Sequence, residues 1–313
     1  MIYRKLAALF LLSPLALAMQ PANAAWTGYA GAVVGNFSVY SSGVAGIDQR
    51  YVYDQSAVTL QGSTMFSGID GSGNAASMTF SYGGLAQATS TSLKASASAS
   101  LANGFYNSEN PAYMQGFTEW FSPIIDYSGV PTYLESGSAA FYQQRVAVSG
   151  TGNLAYITID VKVDGTFSNS ASDSVATWAN LDFRNGSSFN LGDQTIDQSF
   201  NSGRIDVVNG VADVGIMLQT AVVFDLDHKP GFNEPLLEGA VDFSHTATIT
   251  RLYGFDASGR AVDLASATTA GGQSYVTYRL DNVPVVPEPG SLALLACGLA
   301  VIAWKTRSTS KSR

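Results

Sequence analysis

Nucleophilic catalysis needs a reactive side chain beside a general base, and the sequence offers few of either. The two histidines are His228, in a turn-like segment, and His245, in a strand-like segment. No Gly-x-Ser-x-Gly elbow occurs, and the single cysteine, Cys297, lies in an apolar run near the C-terminus. Zinc sites usually take several His or Cys ligands. The sequence therefore predicts no catalytic residues. A glycosidase, which needs only two carboxylates, stays as an alternative.

Two aspartates indicate a candidate calcium site. Asp225 and Asp227 are two residues apart, so on a strand both carboxylates would lie on one face. Asn233, Glu234 and Glu238 follow closely. Calcium binds hard oxygen ligands of this kind in loops. The alternative interpretation is a set of solvated acids at the end of a strand.

Aromatic residues are concentrated in 103–123, which we expect to be a long connection packed over a sheet edge. Aromatic rings in loops can stack on sugar rings, and on this ground Trp120 and Tyr127 are candidate glycan-binding residues. Tyr51 and Tyr53, beside Arg50, allow the same interpretation. For both groups, ordinary core packing or sheet-edge cover is the alternative.

Charge and composition exclude some partners. Residues 25–282 hold 10 of the 16 Lys and Arg and 23 of the 24 Asp and Glu, a net charge near −13. A domain this acidic repels phosphate backbones, so we expect no nucleic-acid partner. Charged residues make up only 13% of the chain, and Gly, Ser, Ala and Thr provide much of its polar character. This composition favours a β-protein over a helical one.

Apolar and polar residues alternate with the period of a β-strand in many short segments. The clearest is 154–163, which Asp164-Gly165 follows as a hairpin signal. The run 95–100 alternates Ala and Ser, which favours a strand with methyl groups inward over a linker. The other predicted strands are 31–40, 51–60, 76–82, 139–148, 175–183, 211–227, 241–252 and 274–280. We expect an all-β fold over 25–282, an antiparallel β-sandwich that is jelly-roll-like.

The N-terminus has the features of a secretory signal peptide. Arg4 and Lys5 precede an apolar stretch, and Ala22-Asn23-Ala24 is a small-x-small cleavage site. Residues 1–24 are therefore predicted to be removed by signal peptidase after the secretion machinery exports the chain. Cleavage between Ala24 and Ala25 would leave a mature chain that begins at Ala25.

The C-terminus has three consecutive parts. Residues 283–290 form a proline-rich stalk that contains Pro287-Glu288-Pro289, and 291–304 form an apolar run of 14 residues. As a helix this run is about 21 Å long, against about 30 Å for a bilayer core. Residues 305–313 carry four cations and no acid. Because cations favour the cytoplasmic side, we predict a short transmembrane helix with the large domain outside.

This order of Pro-Glu-Pro, short apolar helix and basic end resembles the PEP-CTERM sorting signal of Gram-negative bacteria. The resemblance implies that a membrane-embedded exosortase recognises Pro287, Glu288 and Pro289 and processes the tail. It also implies an association with exopolysaccharide and biofilm. The resemblance covers about 27 residues at the C-terminus.

These features predict a non-enzymatic protein that is exported and first anchored in the inner membrane. After processing it would reside in the cell envelope, on the surface or in the extracellular matrix, with exopolysaccharide as a candidate ligand. No cofactor is expected other than calcium. The alternatives are an adhesin-like protein that binds another surface protein, and a secreted polysaccharide-active enzyme.

Overall fold

A computed structural model describes residues 29–40, 43–69, 75–103, 133–170, 175–192, 194–225 and 236–278. Within these ranges the chain folds into fifteen β-strands. They are β1 Tyr29–Tyr40, β2 Gly43–Val52, β3 Val58–Ile69, β4 Ala75–Ala88, β5 Ser92–Asn103, β6 Tyr133–Gly150, β7 Leu154–Asn169, β8 Val175–Phe183, β9 Ser188–Gly192, β10 Ile196–Asn201, β11 Ile205–Val208, β12 Val211–Asp225, β13 Leu236–Asp256, β14 Ala261–Val262 and β15 Leu264–Thr269.

The strands form two antiparallel sheets that share β11. Sheet A has the order β2-β1-β6-β12-β8-β9, with β15 beside the end of β6. Sheet B has the order β3-β4-β5-β13-β7-β10, with β14 beside the end of β13. The short β11 pairs with β12 on one side and β7 on the other, which joins the two sheets. The expected all-β, antiparallel fold is confirmed.

The sheets pack face to face around one apolar core. The Phe80 ring of sheet B meets the Phe224 ring of sheet A edge-on, with 5.9 Å between centroids. At Gly84 of β4, an added Cβ would lie 2.5 Å from a methyl of Val34 in β1, so the sheets come very close there. The Ser136 hydroxyl of β6 donates a hydrogen bond to a backbone carbonyl of β4 across the same interface.

The Ala/Ser run forms a strand, as predicted. In β5, Ala95, Ala97 and Ala99 are buried in the core, while Ser98 is exposed on the other face. In β7 the inward positions Ile157 and Ile159 are completely buried. Period-2 alternation therefore located both strands correctly, because only one side of each faces the opposite sheet.

Three local predictions are wrong. The segment 51–60 is not one strand but the end of β2, a turn over 53–57 and the start of β3, and in the turn the Asp54 carboxylate accepts a hydrogen bond from the Ser56 N–H at 2.8 Å. Asp164-Gly165 does not end a strand, because β7 continues to Asn169. Gly165 instead makes room for the Phe243 ring, whose atoms would lie 2.4 Å from an added Cβ. In the described part of 274–280, Ser274 and Thr277 form only single bridges.

The jelly-roll-like order is also wrong for these sheets. A jelly roll interlocks two Greek keys. Here β3, β4 and β5 follow one another as a meander, and β1-β2 and β8-β9 pair as sequence neighbours. These neighbouring pairs are hairpins, which give a meander order, whereas a Greek key needs a long connection that returns the fourth strand beside the first.

The contact at Gly84 gives a stability prediction. We expect Gly84→Ala to lower the free energy of unfolding by about 1–3 kcal/mol, because the new methyl overpacks the interface with Val34. Gly83→Ala is the matched control in the same strand. Its Cβ would face outward, with the Ser98 hydroxyl oxygen nearest at 3.0 Å. Urea unfolding of both variants measures the difference, and equal losses at the two positions would contradict this account of the interface.

Candidate functional site

The outer face of sheet B carries an open trough of about 1440 Å³. Cross-strand neighbours on β3, β4, β5, β13 and β7 line it in three rungs. The rungs are Thr59–Leu85–Ser96–Asp242, Gln61–Gly83–Ser98–Ala240–Ser168 and Ser63–Ser81–Ser100–Glu238. Most of these side chains are small and polar, so the surface is concave and rich in hydroxyl groups.

The trough follows from the alternation that builds the core. In β5 the alanines point to sheet A, and the serines on the same strand therefore point outward. In β4, Gly84 points inward and Gly83 outward. Charge lies at the two sides of the trough, with Arg50 on one side and Glu238 and Asp242 on the other. A polar partner would meet hydroxyl donors and acceptors across the middle.

Four half-buried aromatic side chains lie further along the same face, where β7 meets β13. Tyr156 of β7 and Phe255 of β13 are cross-strand partners whose rings stack at 5.0 Å and 11°. Tyr253 of β13 and Tyr278 lie beside them with centroids 5.1 Å apart. We call this group the aromatic row. The Arg204 guanidinium lies over the Tyr156 ring, with its central carbon 4.7 Å from the ring centroid.

Planar polar side chains surround the aromatic row. The Asn201 amide donates hydrogen bonds to the Asp160 carboxylate at 2.8 Å and to the Thr158 hydroxyl at 3.1 Å. Asp160 and Arg251 both interact with the Tyr253 side chain, whose pKa is raised first by burial and then by its contact with Asp160. The row therefore combines ring surfaces with a carboxylate, an amide and a guanidinium.

The outer face of sheet A differs, because it is buried at its centre. Trp178, Ala221 and Val223 form a small cluster there with Tyr133. Glu135 of β6 is also completely buried on this face, between Phe37 and Val223 in register. Among the described residues, neither Glu135 oxygen has a hydrogen-bond partner, and the same holds for the side-chain nitrogens of Gln143, Gln219 and Trp178.

Burial controls the charge of Glu135. Removal of the carboxyl group from water raises its pKa to about 8. The neighbouring Tyr133 also has a raised pKa, first through burial and then through the negative charges of Glu135 and Asp225. An acid with a strongly raised pKa can mark a catalytic site. Glu135 is fully enclosed, however, so the described structure gives it no contact with a soluble substrate.

The structure locates only some of the residues that the sequence singled out. Asp225 ends β12, opposite Tyr133, and His245 is exposed on β13. Tyr51 and Tyr53 are 55% and 56% exposed, with centroids 5.9 Å apart. The remaining predicted site residues lie outside the described ranges. They are Ala24, Ala25, Trp120, Tyr127, Asp227, His228, Asn233, Glu234, Pro287, Glu288 and Pro289.

Two absences among the described residues concern metal ions and membrane-spanning helices. No group of three or more His, Cys, Asp or Glu side chains in these ranges is arranged to hold a metal ion. No helix in the same ranges has the length and apolar character needed to cross a bilayer.

The sequence did not point to the aromatic row as a site. The predicted strand 241–252 stops just before Tyr253, whereas β13 runs on to Asp256. The alternation of inward and outward positions continues over Leu252, Tyr253, Gly254 and Phe255, and this alternation predicts that both rings point outward. The sequence does not predict that Phe255 pairs with Tyr156, because this pairing depends on the register between β13 and β7.

The fold and its outer faces thus define an antiparallel β-protein with one open polar face. Comparison with protein families adds a second feature, since residues 285–308 match the PEP-CTERM protein-sorting motif. The tail therefore carries the predicted sorting signal, which marks the chain as an exported, envelope-directed substrate of an exosortase. No curated protein and no solved structure matches the chain.

The buried Glu135 gives a pH prediction. Its folded pKa of about 8 lies above the ordinary value of 4.5, so the folded state keeps a proton that the unfolded state releases between these values. We therefore expect Glu135 to lower the free energy of unfolding as pH rises through this window, by up to about 1.4 kcal/mol per pH unit.

Glu135→Gln tests this, because glutamine has a similar shape and does not titrate. Urea unfolding between pH 5 and pH 8 should show a flatter pH dependence for the variant than for the wild type. Asp213→Asn, at a half-exposed carboxylate paired with Arg145 at 3.5 Å, is the control and should not flatten the curve. An unchanged slope in Glu135→Gln would show that this carboxyl group is not held neutral.

Proposed function

We propose that this chain is a non-enzymatic surface protein, processed by an exosortase and retained in the envelope or its exopolysaccharide matrix. The match of residues 285–308 to the PEP-CTERM motif is the observation that carries the sorting part of the proposal. The outer face of sheet B, with its trough and aromatic row, is the surface that we assign to the contact with polysaccharide.

The tail chemistry supports a transient membrane anchor. Pro287 and Pro289 prevent a helix from extending upstream, and the 14 residues of 291–304 are apolar. Lys305 and Arg307 follow at once and would hold the end of the span at the cytoplasmic side. In this proposal signal peptidase first cleaves between Ala24 and Ala25, and the C-terminal helix then holds the chain until exosortase acts at the Pro-Glu-Pro segment.

The shape of the ectodomain supports binding. The trough is open and lined by side chains such as Ser96, Ser98 and Ser100, which donate and accept hydrogen bonds without carrying charge. Sugars present many hydroxyl groups, so these serine side chains are chemically suited to hydrogen-bond with them. Glu135, the described carboxyl group with a pKa of about 8, is enclosed on the other sheet and away from this face.

The sorting signal gives a localisation prediction. Replacement of Pro287, Glu288 and Pro289 by alanine should leave the full-length chain in the inner membrane, because exosortase no longer recognises it. Deletion of residues 287–313 should instead release the domain to the medium. Membrane fractionation and the size of the chain on immunoblots measure both outcomes.

Cys297→Ala is the control for this experiment, since it changes the apolar run without touching the Pro-Glu-Pro segment. It should be processed like the wild type. Retention of the truncated chain in the inner membrane would show that the N-terminal leader is the anchor. Normal processing of the alanine variant would show that the three residues are not recognised.

Calcium binding at Asp225 and Asp227 is a further part of the proposal. Asp225 is half-buried at the end of β12, close to Tyr133. A bound divalent cation would stabilise the folded state, so we expect excess EDTA to lower the melting temperature and Asp225→Asn to abolish that effect. A melting temperature that EDTA does not change would reject the site.

A further inference from the structure

The aromatic row is unusual for the outer face of a sheet. The outward positions of its neighbouring rungs hold mostly small or charged side chains, whereas Tyr156, Phe255, Tyr253 and Tyr278 bring four rings together. All four are half-buried, so part of each ring remains accessible. From this geometry we propose that the aromatic row binds the ring faces of a neutral polysaccharide. This inference rests on the proposed polysaccharide contact and names its place and ligand class.

The rings are held in place before any ligand arrives. Tyr156 lies between the Arg204 guanidinium and the Phe255 ring, and Tyr253 lies against Tyr278. Aromatic side chains have few rotatable bonds, so ordering them on binding costs little entropy. A sugar ring has C–H groups on its faces, which pack well against such apolar surfaces.

The polar neighbours suit the edge of a sugar, where its hydroxyl groups lie. The Asp160 carboxylate can accept two hydrogen bonds, and the Arg251 guanidinium can donate several. Both interact with the Tyr253 side chain, so they lie at the border of the row. Asn201 fixes the Asp160 carboxylate by donating a hydrogen bond at 2.8 Å. Planar groups of this kind match pairs of adjacent hydroxyls.

The charges around the row are balanced, which favours a neutral ligand. Arg204 forms an ion pair with Asp206 at 2.6 Å. Lys162 pairs with Asp197 further along the face. Arg251 lies near Asp160, with Tyr253 in contact with both. A polyanion or polycation would gain little here, because each attractive charge has a repulsive neighbour.

The row and the trough lie on the same sheet face, and β7 and β13 contribute to both. Successive outward positions along these strands are about 6.7 Å apart. Ser168 of β7 lines the trough, while Tyr156 and Thr158 of the same strand belong to the region of the row. A long polymer could therefore contact both, with its rings on the row and its hydroxyls in the trough.

Affinity electrophoresis of the full-length chain in detergent tests the proposal. The gels contain neutral polysaccharides (dextran, galactomannan or β-1,3-glucan) or the polyanion alginate. We expect at least one neutral polysaccharide to retard the wild type. The double variant Tyr253→Ala/Phe255→Ala should weaken that binding about tenfold or more, the equivalent of about 1.4 kcal/mol.

The control is Arg145→Ala/Asp213→Ala, which removes an exposed ion pair on sheet A, away from the outer face of sheet B. It should keep wild-type retardation. Tyr253→Phe preserves the ring and removes only the hydroxyl group near Asp160 and Arg251, so it should fold normally and lose part of the affinity. Thermal unfolding of each variant shows whether a loss reflects binding or folding.

The outcomes separate this inference from the proposed function. Wild-type retardation that persists in Tyr253→Ala/Phe255→Ala would overturn the role of the row and leave a polysaccharide contact elsewhere, such as the trough. Retardation by alginate alone would overturn the neutral ligand class. Absence of retardation in every gel would overturn both proposals and favour a protein partner, as in an adhesin.

Discussion

The close contact between the two sheets is the constraint on which the rest of the ectodomain depends. Near Gly84 the residues of β4 and β5 that face sheet A are small, including Ala95 and Ala97. Larger side chains there would push the sheets apart. The outward residues at the same level, Gly83 and Ser98, are also small, so sheet B is thin on both sides there. The open trough therefore lies on the outer face of sheet B at a place where the sheet packs closely on sheet A.

The two sheets differ in how far their outer faces are exposed to solvent. Sheet B leaves its trough and aromatic row accessible, whereas the centre of the outer face of sheet A is buried. Burial there includes Glu135 and several unpaired amide groups among the described residues. A buried carboxyl group without a partner is unfavourable when ionised, and its raised pKa keeps it protonated near neutral pH. Sheet A therefore supports sheet B, whose outer face we propose to bind polysaccharide.

Apolar–polar alternation in the sequence predicted the long strands well and predicted their ends poorly. Alternation identified β7 and β8 because one face of each is in the core. It misread 51–60, where the Asp54 side chain caps a turn between two strands. It also misread Gly165, which looks like a turn residue in sequence and is needed instead for close contact with Phe243. Glycine is common both in turns and at close packing contacts, and only the tertiary structure shows which of the two roles Gly165 has.

The sequence by itself determined where this protein is sent. The sorting signal is a continuous stretch whose meaning lies in the order of its prolines, apolar residues and cations, and the family match at 285–308 bears this out. The tertiary structure alone decided which side chains form the proposed binding face. Tyr156 and Phe255 are about a hundred positions apart in the chain and meet only through the register between β7 and β13. Register depends on hydrogen bonds and packing between distant strands, so it cannot be read from a local pattern.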